Sequence, residues 1–166
     1  KMKGFWRLVW TNDLEFVPKG GLSELGSMPY CVLAAHLQCY QDKDPSLQTV
    51  EVVANINTGS HALVSVKGSF VVGEQGKSSG VDGRAVTEQY TRLEFASSPQ
   101  SYSRTEKVCV VTYAGNKVRL ARRASQAVPG KDGKVTAGQG LFIYIKRSPQ
   151  EVGSEMQAWL DKPVVG

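Results

Sequence analysis

Short runs in which apolar and polar residues alternate, set apart by clusters of Gly, Ser, Asn and Pro, dominate this chain and restrict it to few folds. The opening run Gly4-Phe5-Trp6-Arg7-Leu8-Val9-Trp10-Thr11 sets the pattern. A period of two places Trp6, Leu8 and Trp10 on one face and Phe5, Arg7 and Val9 on the other, which is the signature of a half-buried strand. Similar runs, rich in β-branched and aromatic residues, recur near 30–40, 47–56, 61–72, 86–95, 107–113, 117–123 and 140–147. Connections such as Asn57-Thr58-Gly59-Ser60 and Ala114-Gly115-Asn116 are long enough only to join neighbours, so the strands follow one another as a meander. Eight meandering strands lose their exposed edges by closing into a barrel, and a barrel of that size is either filled by side chains or holds one small ligand. The fold class expected is all-β, a lipocalin-like antiparallel eight-stranded meander barrel spanning 4–147 of a single 1–166 domain.

Two segments interrupt the alternation. Gly73 to Gly83 and Ala124 to Gln139 are Gly-rich, polar and poor in apolar residues, and they read as loops. A helix is expected only near the end of the chain, over 149–161. There Ser148-Pro149-Gln150-Glu151 spells a capping box with Pro at the first helical position, and Val152, Met156, Trp159 and Leu160 share a face that should dock on the barrel.

The 166 residues suit one domain with one core, and no apolar run approaches the roughly 18 residues of a membrane-spanning helix. Three cysteines cannot all pair, and at about 3.3 Å per residue Cys31 and Cys39 lie roughly 26 Å apart along one strand. A reducing compartment is therefore expected. No targeting segment is legible, and any such peptide is expected to have been removed or to lie outside this numbering. Residues 101–166 carry 11 Lys and Arg against 5 Asp and Glu, a net +6, which leaves −1 for the remainder. That asymmetry suits an anionic lipid, nucleic acid or acidic protein face, or only a solvated surface.

Catalytic patterns are thin. His36 and His61 both sit within strand runs without a nucleophile in a recognisable motif, so each reads as a structural or surface histidine. No Cys or His pair has metal-ligand spacing, and neither metal nor cofactor is expected. Gly76-Lys77-Ser78 resembles the end of a phosphate-binding loop, but position 71 is Val71 where that loop needs glycine, and no helix pattern follows. Nucleic-acid binding lacks the aromatic and basic stacking motif it would need.

The first strand is similar to that of the plastid lipid-associated protein, or fibrillin, family, which reads Gly-x-Trp-x-Leu-x-Tyr-Thr. Leu47-Gln48-Thr49-Val50-Glu51-Val52-Val53 resembles its Leu-x-Val-x-Asn-Val-Val strand, and Val66-Lys67-Gly68-Ser69-Phe70 resembles the strand after it. The fullest match joins Thr112-Tyr113 and Val118-Arg119-Leu120-Ala121-Arg122 to Gly140-Leu141-Phe142-Ile143-Tyr144-Ile145-Lys146, which together resemble the family's closing hairpin. The chain departs from the family at Gly115-Asn116-Lys117, where the family has an acidic turn, and in the long segment from Ala124 to Gln139.

The resemblance implies a non-enzymatic plastid (chloroplast) protein, associated with thylakoid membranes or lipid globules, that binds or shelters an apolar lipid or isoprenoid such as a quinone, carotenoid or acyl lipid. Its alternative is a structural subunit docking on a larger photosynthetic assembly through basic loops and the terminal helix. Inward-facing candidates for ligand contact are Trp6, Leu8, Trp10, Leu33, Leu37, Val64, Val66, Phe70, Leu141 and Ile143, with Ala35 and Gly68 small enough to leave room. The basic surface candidates are Arg119, Arg122, Arg123, Lys131 and Lys134, and Arg119 or Arg122 should cover Trp6 once the first and last strands meet.

Overall fold

The computed structural model describes residues 2–42, 44–75, 84–125 and 136–164. Strands β1 (Gly4–Thr11), β2 (Cys31–Gln41), β3 (Ser46–Asn55), β4 (Ser60–Gln75), β5 (Arg84–Phe95), β6 (Ser98–Gln100), β7 (Thr105–Ala114), β8 (Val118–Ser125) and β9 (Thr136–Arg147) precede helix α1 (Pro149–Leu160). All pairings are antiparallel. The ladder runs β4-β3-β2-β1-β9-β8-β7-β5, and a β4–β5 pairing closes it into a ring. Strand β6 stands outside that ring of eight, because it pairs only with Leu93, Glu94 and Phe95, beyond the part of β5 that β7 occupies. The meander barrel read from the alternation is therefore the observed architecture, with β1 and β9 as neighbours.

The ring has two ends. The floor gathers the start of β1, the end of β2 and the start of β8; the rim gathers the end of β1, the start of β2 and the end of β5. Residues 12–30, between β1 and β2, form a strap of turns with one 3₁₀ turn (Leu25–Ser27) on the rim side, and its Phe16 and Leu22 are buried in the core. The alternation signal was silent on this strap, since it is neither strand nor long helix. Helix α1 begins with the expected capping box, Ser148 Oγ accepting from the Glu151 amide and Glu151 accepting from the Ser148 amide. It docks on the outside, where Glu155 meets Arg7 at 3.1 Å and Arg147 at 2.9 Å and the Trp159 ring stands 5.9 Å from His61.

Bulges decide which side chains enter the core. A register shift between Leu8 and Trp10 absorbs Val9, so Trp6 and Leu8 face inward while Trp10 turns out beside Ile143 and is 49% exposed. Another shift between Leu33 and Ala35 leaves Leu33 inside but reverses the parity beyond it. His36, Gln38 and Tyr40 point in, whereas Leu37 pairs with Arg7 on the face where α1 docks. On β9 both faces are apolar, and the large rings of Phe142 and Tyr144 take the interior. Leu141 and Ile143 consequently face out. Trp10, Leu37, Leu141 and Ile143 are thus corrected to outward positions, and Trp6, Leu8, Leu33, Val64, Val66 and Phe70 belong to the core or pack against it.

Neither small residue leaves room for a ligand. Ala35 pairs with Val52 on the outer face. Gly68 faces in, but a Cβ there would lie 1.8 Å from the Gln89 carbonyl oxygen, so its glycine permits β4 and β5 to approach at a bulge. The two segments read as loops are shorter than expected: β4 continues to Gln75, β8 to Ser125, and β9 begins at Thr136. Residues 76–83 and 126–135, with Lys131 and Lys134, lie outside the described residues.

Candidate functional site

The lower interior is built around a cation. Arg119, placed on the inner face of β8 opposite Tyr144, is 1% exposed and its guanidinium carbon lies 4.0 Å from the Tyr144 ring centre, 5.0 Å from Tyr40 and 5.3 Å from Trp6. The expected cover over Trp6 is therefore present, but Arg119 is no surface residue. Its Nη2 donates to Gln38 Oε1, and Gln38 Nε2 stands 3.4 Å from Glu88, which also accepts from Tyr40 Oη and, at 2.9 Å, from Tyr90 Oη. Tyr90 Oη in turn meets Thr49 Oγ1 at 3.2 Å. Burial and the nearby Glu88 charge push both tyrosine hydroxyls well above their ordinary range, so they stay protonated donors. Cys109, half-buried beside them, is pushed up to about 12 by desolvation and is a neutral packing group.

A second buried charge fastens the strap. Glu51, on the inner face of β3 and fully buried, accepts from the Leu22 amide at 2.7 Å and the Ser23 amide at 2.9 Å, and its Oε1 lies 2.8 Å from His36 Nδ1. Burial alone would raise this carboxyl. The His36 hydrogen bond and charge, with the Ser23 side chain and the Leu22 amide, instead hold it below the usual carboxylate range. Lys107, directed between Phe16 and Phe142 with its Nζ 4.2 Å from the Phe16 ring centre, has its ammonium pushed down by burial.

Room exists at the rim. A pocket of about 380 Å³ opens between the strap and the barrel mouth, lined by Leu25 and Met28 of the strap and by Cys31, Val53, Ala62 and Phe95, with Asn55 and Ser60 supplying polar groups. Its volume falls at the small end of the range, about 300–1,000 Å³, in which one compact ligand is bound. None of the residues expected to touch a ligand lines it. Phe95 and Met28 at its mouth are 40% and 53% exposed.

Outside the barrel, register aligns Trp10, Ile143, Leu120 and Tyr113 as direct cross-strand neighbours over β1, β9, β8 and β7. Trp10 and Tyr113 end this row about half exposed, and Arg122 with Leu141 forms the next rung. The expected basic surface is reduced accordingly. Arg119 lies inside, Arg123 is engaged by Asp13 and Glu15 at 2.9 Å each, and Arg122 keeps a place on the outer face.

Sequence reasoning missed the interior polar groups Glu51, Glu88 and Gln38, and it placed Arg119 over Trp6 while also counting it as basic surface. A signal was present for Glu51, because strict alternation puts it with Leu47, Thr49 and Val53 on a single face of β3. All three cysteines are free, and among the described residues no cluster of three His, Cys, Asp or Glu could hold a metal ion. Comparison with protein-family models, with curated proteins and with solved structures returned no match, so the reading of the site rests on its own residues.

Proposed function

We propose that this protein is a non-enzymatic, lipid-associated barrel that shelters one apolar molecule, or the end of one apolar chain, in the rim pocket. The observation that carries this reading is the pocket itself, whose walls are the apolar side chains of Leu25, Met28, Cys31, Val53, Ala62 and Phe95, with polar groups confined to Asn55 and Ser60. Such a lining gains about 25 cal/mol for each Å² of apolar surface it takes from water, while the two polar side chains orient a single hydroxyl or carbonyl. The filled floor, occupied by Trp6, Arg119, Tyr40 and Tyr144, moves the proposed ligand away from the centre of the barrel. An isoprenoid or acyl end fits this chemistry, in keeping with the plastid lipid-associated family that the strand motifs resemble.

A second reading, docking on a membrane or membrane assembly, is favoured by one specific feature. The Trp10, Ile143, Leu120, Tyr113 row presents aromatic ends beside Arg122, a combination suited to the boundary between headgroups and acyl chains. The two readings are compatible, since the row and the pocket occupy different strands. Mass spectrometry of organic extracts from natively purified wild type and Ala62→Phe separates them. The binder reading expects an apolar molecule in the first and its loss in the second; equal extracts from both, or none from either, leave only docking.

A further inference from the structure

Residues 12–30 enter the core more deeply than a connection between two strands requires. Phe16 and Leu22 are 3% and 8% exposed, and Phe16 packs edge-on against His36 at 5.0 Å and Phe142 at 5.3 Å between ring centres. They fill the upper interior as a ligand would. The partition between that interior and the rim pocket is thin, because Val53, Leu25 and Cys31 line the pocket and also belong to, or pack against, the core cluster that holds Leu22 and Phe16.

We infer that this strap is a removable plug, latched by Glu51, whose release extends the rim pocket into the barrel and admits a longer apolar chain. The inference rests on the rim pocket being a ligand site. The latch is a carboxylate cradled by two successive amides, those of Leu22 and Ser23, with His36 on its other side. The chain is shaped for that cradle. Gly20 and Gly21 have φ of +75° and +68°, and a Cβ on Gly21 would stand 2.2 Å from Glu51 Oε1. A second attachment sits nearer β1, where Asp13 accepts from the Phe16 amide and pairs with Arg123, so the strap has a fixed foot about which its far part can swing. Two amide donors favour the ionised carboxylate, since protonation turns one of its oxygens into a donor and weakens that oxygen's contact with an N–H. The charged or titratable groups facing Glu51 are His36 from β2, Lys107 from β7 and Tyr102 ahead of β7, with Glu24 of the strap near Tyr102. Protonation of Glu51 therefore loosens the latch contacts.

The test uses two uncharged probes, 1-octanol and 1-dodecanol, titrated calorimetrically into wild type at neutral pH, wild type taken stepwise down through the acid range below pH 4.5, Glu51→Gln and Gly21→Ala. Amide exchange at Leu22 and Ser23 is followed in each. Unlatching is expected to speed those amides and to raise dodecanol affinity about tenfold or more, because the added methylenes reach buried volume, while octanol affinity stays within about threefold. Gly21→Ala and the acid arm carry the test if Glu51→Gln fails to fold. Intact octanol binding with faster amides but unchanged dodecanol affinity overturns the plug alone. No octanol binding under any condition removes the rim pocket as a ligand site, and the gate with it.

Discussion

The floor and the rim of this barrel are made from the same strands and solve opposite problems. At the floor, alternate residues bring Trp6, Tyr40, Tyr144, Glu88 and Arg119 into one layer with buried polar groups linked through Gln38. Removing water from a guanidinium and a carboxylate is costly, and aromatic faces together with several hydrogen bonds offset that cost only when the layer is complete. At the rim a buried carboxylate, Glu51, is satisfied by backbone amides of the strap, and apolar volume is left open beside it. A filled, mutually dependent floor gives the fold its stability. A rim closed by a strap leaves apolar volume open.

Breaking the floor should therefore cost most. Arg119→Ala strips the aromatic cage of its cation and leaves Gln38 and Glu88 without their charge link, with an expected loss of about 3–5 kcal/mol in a urea titration. A loss below about 1 kcal/mol would mean that the buried charge is solvated by other means. Gly68→Ala should come next, at about 1–3 kcal/mol, since its Cβ meets the backbone of β5 and not a movable side chain. An unchanged midpoint would show that β4 and β5 can part there at no cost.

The rim should respond to acid through Glu51. Glu51 titrates below its ordinary value of 4.5 in the folded protein, so its contribution to stability is complete above pH 4.5 and is lost as pH falls through the lower, folded value. Exchange at the Leu22 and Ser23 amides should accelerate in that acid window while amides of β1 and β9 beside Trp6 stay protected. Simultaneous loss of protection at both ends would make the strap part of the global unfolding unit. Smaller still, Ala62→Phe fills the pocket and is expected to change stability by less than about 1.5 kcal/mol while abolishing uptake of an apolar probe. Trp10→Ser should leave stability within about 0.5 kcal/mol, as befits a half-exposed surface residue, and should weaken sedimentation with anionic vesicles. Vesicle binding that is indifferent to Trp10 would remove the outer row from any docking role.

The two ends also differ in how far the chain announces them. Ladder order, strand positions, closure of β1 on β9 and the capped helix all follow from alternation, turn residues and the Ser148 to Glu151 box. Even the guanidinium over Trp6 was legible, because closure makes β8 a near neighbour of β1. Side-chain direction was legible only up to the first bulge in each strand. One absorbed residue, Val9 in β1 or Ala34 in β2, moves Trp10 and Leu37 to the opposite face without altering the apolar pattern. On β9, Leu141, Phe142, Ile143 and Tyr144 are all apolar or aromatic, so parity carries no sign and packing volume decides. The rim was hidden for a different reason: the strap has no period, and its value lies in two amides and two left-handed glycines that act on a glutamate some thirty residues away.

The most direct measurement of where an apolar molecule sits uses the three methionines, each of which reports on a different region. Met28 lines the rim pocket, Met2 packs beside the floor where its carbonyl accepts from Trp6 Nε1, and Met156 lies on α1. In a spectrum of protein carrying ¹³C-methyl methionine, titration with 1-octanol should shift the Met28 methyl and leave Met2 and Met156 in place. A shift at Met2 with Met28 silent would put the ligand at the floor and contradict the division between a filled floor and a binding rim.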